Sequence, residues 1–233
     1  MLRRVTIALR HFGLGWGLYS TALLILLRLT GFGIWRCIVL DVQNRTADAA
    51  DDSPELALQF DCRALSYEEL VEFGRDPTME LDQPTLQLAE RKRDVCVGVI
   101  DHPDGCTPRL VSYGWYSTKP TAIDGHQLVS VSKNYVYKYK SFTLHEYRGQ
   151  RLHAVGTRLA AERYRLQGLL GIISFIEEHN LASIRSFYRS GFRPFGLVLH
   201  FRGTPFWFSK GCRVYGFEIY PETAITRPAG AAG

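Results

Sequence analysis

The chain predicts an α+β domain, a mixed and mostly antiparallel sheet flanked by helices, with an extra helix and strand at its N-terminus. Three features carry that expectation. Apolar runs at 95–100 and 110–117, separated by the turn-rich stretch 102–108, read as an antiparallel hairpin. A strand-like run over 134–144 breaks into Glu146-Tyr147-Arg148-Gly149-Gln150-Arg151 and then into a helix over 152–166. After Gly168 come a buried-type strand at 169–176 and a helix over 181–190 that stops at Gly191. Helices and antiparallel strands thus follow one another without the regular alternation of an all-parallel sheet.

A length of 233 residues suits one domain, or one domain with an appendage. The 46% hydrophobic fraction, 22% charged fraction and the 13 Phe, 12 Tyr and 4 Trp exclude general disorder. A net charge of +5 is compatible with an anionic ligand, a nucleic acid or an anionic membrane surface. The arginines form no recognised nucleic-acid module, so no nucleic acid is expected. Five cysteines, odd in number and without a C-x-x-C pair, point away from a disulfide framework or zinc site and toward a reducing cytoplasm. No metal is expected. Cys37 and Cys96 lie in apolar strand-like runs and read as packing residues.

Along the chain, residues 1–43 form an apolar N-terminal segment, 44–55 a polar linker, 56–222 the α+β domain and 223–233 a frayed tail. In the first segment Arg3, Arg4 and Arg10 precede an uncharged apolar run over 12–27, closed by Arg28. It falls short of the roughly 20 residues that cross a bilayer as a helix. Two readings are open: a helix docked on the domain or a partner, and a helix lying in a membrane interface through residues 12–30, at the inner face. Residues 34–42 continue as a strand.

Residues 56–65 alternate as a strand, and Ser66 N-caps a short helix through Phe73 with Glu68 and Glu69 in its first turn. A loop containing Gly74, Pro77 and Pro84 follows. Residues 128–131 and 134–144 read as strands, and the period of two places Tyr135, Tyr137 and Tyr139 on one face. That face suits cross-strand packing or an acceptor groove. The helix over 152–166 carries Arg158, Arg163 and Arg165 on a solvated face. Strands at 197–201 and 214–220 complete the domain.

The turn before residue 152 is a phosphate cradle in physical terms. Free backbone N–H groups and the positive end of the helix dipole face an anion there, and arginines flank it. No Ser/His/Asp or Cys/His nucleophile signature is present.

The segments Thr143-Leu-His-Glu-Tyr-Arg-Gly-Gln-Arg-Leu-His153 and Asn180-Leu-Ala-Ser-Ile-Arg-Ser-Phe-Tyr-Arg-Ser-Gly-Phe192, in this order of elements, resemble the GNAT superfamily of acyl-CoA-dependent N-acetyltransferases. In that family a (Gln/Arg)-x-x-Gly-x-(Gly/Ala) turn holds the cofactor pyrophosphate. Here the match starts at Arg148, and Arg151 and His153 stand at the later small positions. Arg151 adds bulk and a charge that can replace amide contacts. The resemblance covers residues 56–220 and implies acetyl-CoA or another acyl-CoA as donor substrate and an amine as acceptor. It implies cofactor contacts from Phe142, Thr143, Leu144, Arg148, Gly149, Gln150, Arg151, Leu152, His153, Asn180 and Ser183, with the amides of 142–144 polarising the thioester carbonyl. Asn180 also reads as an N-cap.

The family's thiol-protonating tyrosine is replaced by Phe187, with Tyr188 adjacent as the candidate acid. Glu177 is the candidate base, with Glu146, Glu178 and His179 as further ones. Two alternatives stay open: a GNAT-fold binding or membrane-associated scaffold without turnover, and acyl transfer from an acyl carrier protein meeting Arg158, Arg163 and Arg165.

Overall fold

The structure is a computed structural model and describes residues 14–43, 59–103, 107–123 and 126–222. The linker and tail expected from the sequence lie outside these residues. The eleven described strands are β1 (Phe32–Asp41), β2 (Asp61–Ala64), β3 (Val95–Asp101), β4 (Arg109–Ser117), β5 (Thr121–Ile123), β6 (Gln127–Ser130), β7 (Tyr135–Thr143), β8 (Gly171–Glu177), β9 (Arg193–Phe201), β10 (Thr204–Phe208) and β11 (Glu218–Pro221). The helices are α1 (Leu14–Thr30), α2 (Tyr67–Phe73), α3 (Gln83–Lys92), α4 (Leu152–Leu166), α5 (Leu181–Arg189) and α6 (Lys210–Val214).

Eight strands form the main sheet in the order β10-β9-β1-β8-β7-β4-β3-β2, and β11-β6-β5 form a second, small sheet. Every pairing is antiparallel except β7 with β8. This is the α+β, mostly antiparallel architecture expected from the sequence. The strand read as part of an N-terminal extension is central: β1 runs between β8 and β9, from Trp35↔Glu177 to Asp41↔Gly171 on one side and from Phe32↔Phe201 on the other. Its alternate residues are buried on both faces, as in any strand covered on both sides.

Alternation along the strands sorts the core. Val136, Ile172, Ile176 and Ile38 pack against Ala160, Ala161 and Tyr164 of α4 and Ile184 and Phe187 of α5. Their neighbours Tyr137, Ile173, Trp35 and Cys37 turn to the opposite face, where Val129 and Ile219 of the small sheet and Cys212 of α6 cover them. Leu70, Leu86 and Ala89 of α2 and α3 share a cluster with Tyr113 and Trp115 of β4. The three tyrosines at 135, 137 and 139 are packing residues: Tyr135 meets Tyr215, Tyr137 stacks on Phe175 and Tyr139 on Trp115.

Three local expectations are corrected. The loop with Pro77 and Pro84 contains α3, because Asp82 accepts from the Thr85 N–H and Pro84 occupies the first turn, where a missing N–H costs nothing. The strand at 56–65 is described only over Asp61–Ala64. The stretch 214–220 starts inside α6 and becomes strand only at Glu218, and β5 and β10 are strands too short or too irregular for a periodic pattern. By contrast Ser66 and Glu69 form the reciprocal capping box that opens α2.

α1 lies against the domain along Gly17, Ser20, Leu24 and Leu27, and turns Leu18, Ala22, Ile25 and Leu29 outward. Its Ser20 Oγ donates to the His179 carbonyl at 2.8 Å and its Tyr19 hydroxyl to Glu178 Oε1 at 3.3 Å. Glu178, 3% exposed, is neutralised by a two-point bond from Arg36 of β1, whose Nε donates to Oε2 at 2.6 Å and Nη2 to Oε1. Arg36→Ala therefore strands a buried carboxylate, and urea denaturation is expected to show a loss of about 3 kcal/mol.

Candidate functional site

The parallel pair β7/β8 is joined only at Tyr135↔Gly171, Val136↔Ile172 and Tyr137↔Ile173. Beyond these the strands part, each held by its outer partner: β7 by β4 out to Thr143↔Ser112, β8 by β1 out to Glu177↔Trp35. A bulge helps to turn β7 away, since Trp115 faces Lys140 and Tyr116 faces Lys138, leaving Tyr139 as the extra residue. The split opens a cleft of about 950 Å³.

Its walls are Ser141, Phe142 and Thr143 of β7, the turn at Tyr147, Arg148, Gly149 and Arg151, the start of α4 at Leu152, His153 and Ala154, and Asn180 with the Ser183, Ser186, Phe187 and Arg189 side of α5. Ser20, Thr21 and Leu24 of α1 close one side. Of the residues singled out in the sequence, Phe142, Thr143, Arg148, Gly149, Arg151, Leu152, His153, Asn180 and Ser183 thus meet at one cleft.

The turn keeps the backbone shape of a glycine loop despite its arginine. Gly149 has φ 92° and Arg151 φ 58°, both left-handed. For arginine that conformation costs about 1 kcal/mol. Arg151 is also the N-cap of α4 and provides no side-chain cap, so the first N–H groups of the helix remain to face an anion. Arg148 Nε donates to the Thr143 carbonyl at 3.2 Å, which ties the turn to the end of β7. Asn180 Oδ1 accepts from the Ser183 N–H at 3.2 Å, so Asn180 N-caps α5.

Four expected residues stand elsewhere. Leu144 is 4% exposed and belongs to the α2/α3 core, and its N–H is spent on the Val111 carbonyl at 2.9 Å. By strand alternation the amides that face the split are those of Ser141 and Thr143. Gln150 is exposed on the outside of the turn and does not line the cleft. Tyr188 accepts from Arg36 Nη1 at 3.1 Å, away from the cleft, while Phe187 lines it. One residue along a helix is a turn of about 100°, which separates the two rings. Glu177 lies on the other face of β8, where Trp35 Nε1 donates to it at 2.7 Å and His200 Nε2 and His179 Nδ1 stand 3.4 and 3.7 Å away. Among the further base candidates, Glu146 pairs with Arg109 at 2.9 Å, Glu178 is held by Arg36, and His179 lines the cleft.

Lys138 belongs to the site although no local pattern in the sequence singles it out. It is 2% exposed, and its Nζ contacts His153 Nε2 at 2.7 Å and donates to Thr157 Oγ1 at 2.8 Å. Burial pushes its ammonium down to about 7, and burial followed by the neighbouring lysine pushes His153 well below its usual value. In the sequence Lys138 stands between Val136 and Lys140 at the two-residue spacing, which reads as a solvated strand face; only the bulge at Tyr139 and the helices packed on β7 set it apart and bury it.

No family model matches the chain, and no curated protein matches it. Similar solved structures include a GNAT-family acetyltransferase from Colwellia psychrerythraea, 18% identical, over 76% of this chain and 57% of that one, TM-score 0.47. Another is a GCN5-related N-acetyltransferase from Sphaerobacter thermophilus, 16% identical, over 78% and 55%, TM-score 0.47. A third is a tandem GNAT protein of the clavulanic acid biosynthesis pathway, 18% identical, over 87% and 55%, TM-score 0.46. The chain therefore spans just over half the length of these proteins. Among the described residues no cluster of three metal-ligating side chains occurs, and no helix is long and apolar enough to cross a membrane.

The lowered Lys138 value sets a pH dependence. The unfolded lysine binds a proton up to about 10.4, the folded one only to about 7, so the unfolded state holds more protons in between and this residue's contribution to stability rises with pH across that window. Comparing unfolding of the parent chain with Lys138→Met is expected to show the parent gaining about 1.4 kcal/mol per pH unit between pH 7.5 and about 9 relative to the variant.

Proposed function

We propose that the chain is an acyltransferase that moves an acetyl or other acyl group from acyl-CoA to an amine by direct attack. One observation carries the reading: the split between β7 and β8 opens onto the Arg148–Arg151 turn and the capped start of α5 in a single cleft. The pyrophosphate would sit on the free N–H groups of α4 with Arg148 and Arg151 around it. The pantetheine arm would run down the split past Asn180 and Ser183. The Ser141 and Thr143 amides are the groups placed to polarise the thioester carbonyl, and direct attack requires no protein nucleophile. His179 lines the cleft with Glu177 behind it and His200 beyond, an order suited to taking a proton from the incoming ammonium.

A second reading is favoured by Phe187, an apolar ring on the cleft wall where the resemblance sets a hydroxyl: the cleft would then bind ligand without turnover. Coenzyme A and acetyl-CoA are expected to raise the melting temperature of the chain at millimolar concentration, with the rise abolished in Arg148→Ala/Arg151→Ala. No shift in the parent chain sinks both readings. A shift without acyl transfer to any amine in a broad acceptor panel favours the second.

The outward side of α1 supports a place for this chemistry at an anionic membrane surface. Trp16, Leu18 and Leu29 are 59%, 57% and 81% exposed, and Arg28 follows the apolar stripe. Co-sedimentation with vesicles containing phosphatidylserine is expected to fall severalfold in Leu18→Glu/Leu29→Glu; unchanged pelleting removes this part of the proposal.

A further inference from the structure

A buried cation costs free energy, and replacing it by an apolar side chain of similar volume usually stabilises a fold. Lys138 is such a cation at a particular place. It stands one residue past Tyr137↔Ile173, the last pair before β7 and β8 part, and Ser174 Oγ of β8 donates to its carbonyl at 2.9 Å. Every element around its side chain is accounted for: His153 and Thr157 come from α4, Tyr116 from β4 and Phe187 from α5. Nζ lies 5.4 Å from the Tyr116 ring and 5.3 Å from the Phe187 ring. Burial pushes the Tyr116 phenol up, so it stays neutral. Among the described residues neither Lys138 nor His153 forms an ion pair with a carboxylate.

His153 connects this amine to the cleft. Its ring stands on the cleft wall beside Phe187, with centroids 4.7 Å apart. Its Nε2 is taken by Lys138, and its Nδ1 is buried without a partner. An ammonium donating to Nε2 leaves the neutral ring with its proton on Nδ1, so the orphaned atom is a hydrogen-bond donor. A buried donor without an acceptor is costly, so an accepting ligand atom in the cleft would be stabilised by this N–H once the ring turns to meet it.

We propose that Lys138 and His153 form a proton-donating pair for a sulfur anion generated in the cleft, with His153 the catalytic residue through Nδ1 and Lys138 the positioning residue behind it. The proposal rests on the acyl-CoA reading above. As the amine nitrogen bonds to the acyl carbon, the carbon–sulfur bond breaks and its electron pair stays on sulfur. The Nδ1 proton passes to sulfur and completes the thiol, and a Lys138 proton passes to Nε2, so the ring ends neutral in its other tautomer. The amine's surplus proton leaves toward His179 or solvent, and a solvent proton returns to Nδ1 as the Nε2 proton passes back to the Lys138 amine, which restores the starting pair. An ammonium already pushed down to about 7 gives up its proton readily at neutral pH.

The test uses free coenzyme A and the full chain, and reads the thiolate's ultraviolet absorbance as pH is raised. In the parent chain the bound thiol is expected to ionise about one pH unit lower than free coenzyme A, because the Nδ1–H that the Lys138 contact holds ready donates a hydrogen bond to the sulfur anion. In Lys138→Met the bound thiol returns to its free value, while coenzyme A affinity stays within about threefold and the melting temperature rises, since methionine suits the apolar site better. His153→Gln, with Lys138 intact, loses the same thiol shift and carries the test should Lys138→Met not fold. Bound coenzyme A whose thiol titrates alike in the parent and both variants overturns the pair while leaving the acyl-CoA reading standing. Failure of the parent chain to bind coenzyme A overturns that reading and the pair with it.

Discussion

The parting of β7 from β8 is the constraint on which the rest of the molecule depends. Two parallel neighbours joined at only three positions would ordinarily slip or close, because unpaired backbone groups inside a sheet are costly. Here each strand is held from its outer side where the two part, β7 by β4 from Tyr137 to Thr143 with one bulge and β8 by β1 along its whole length. The open backbone between them is left to water or to a ligand. The bulge at Tyr139 directs β7 outward at the level where the pairing ends, so the split is built into the hydrogen-bond ladder and does not depend on loop conformation.

That arrangement explains why a strand from the start of the chain is indispensable. Without β1, strand β8 would have an open edge on its far side and no reason to hold its course away from β7. β1 also carries Arg36, whose bond to Glu178 fixes the segment linking β8 to α5 and whose contact with Tyr188 fixes the rotation of α5. With Tyr188 turned toward β1, Phe187 is left facing the cleft. The rotation of α5 agrees with its apolar face, since Leu181, Ile184 and Phe187 are its buried residues and Tyr188 is left to meet Arg36.

The cleft is cationic at its mouth and apolar at its base, with one exception. Arg148, Arg151, Arg185 and Arg189 line the outer part, whereas Leu152, Leu181 and Phe187 line the inner part, with Lys138 buried behind His153. Charge at the mouth is solvated and inexpensive. Charge at the base is neither, which is why a lysine there points to chemistry rather than to packing. The same trade is visible at Arg151, where a left-handed backbone that would suit glycine is kept for a side chain able to meet an anion.

Much of the fold was legible in the amino-acid order because its signals are local. The 3.6-residue period of 152–166 and the Asn180 cap produced α4 and α5, and the Ser66/Glu69 box produced α2, since caps and periods act within one or two turns. The anion-facing turn was legible for the same reason. Pro84 misled because proline signals both a loop and a helix's first turn, and only packing of Leu86 and Ala89 on the β4 tyrosine and tryptophan decides between them. The place of β1, the rotation that separates Phe187 from Tyr188, and the meeting of Lys138 with His153 are set by contacts between residues 15 to 152 positions apart. The sequence by itself determined the strands, helices and phosphate-suited turn, each stabilised within its own stretch of chain. Only the tertiary structure decided which of those residues share a cleft, because the split between β7 and β8 comes from competition for hydrogen bonds among strands distant in sequence.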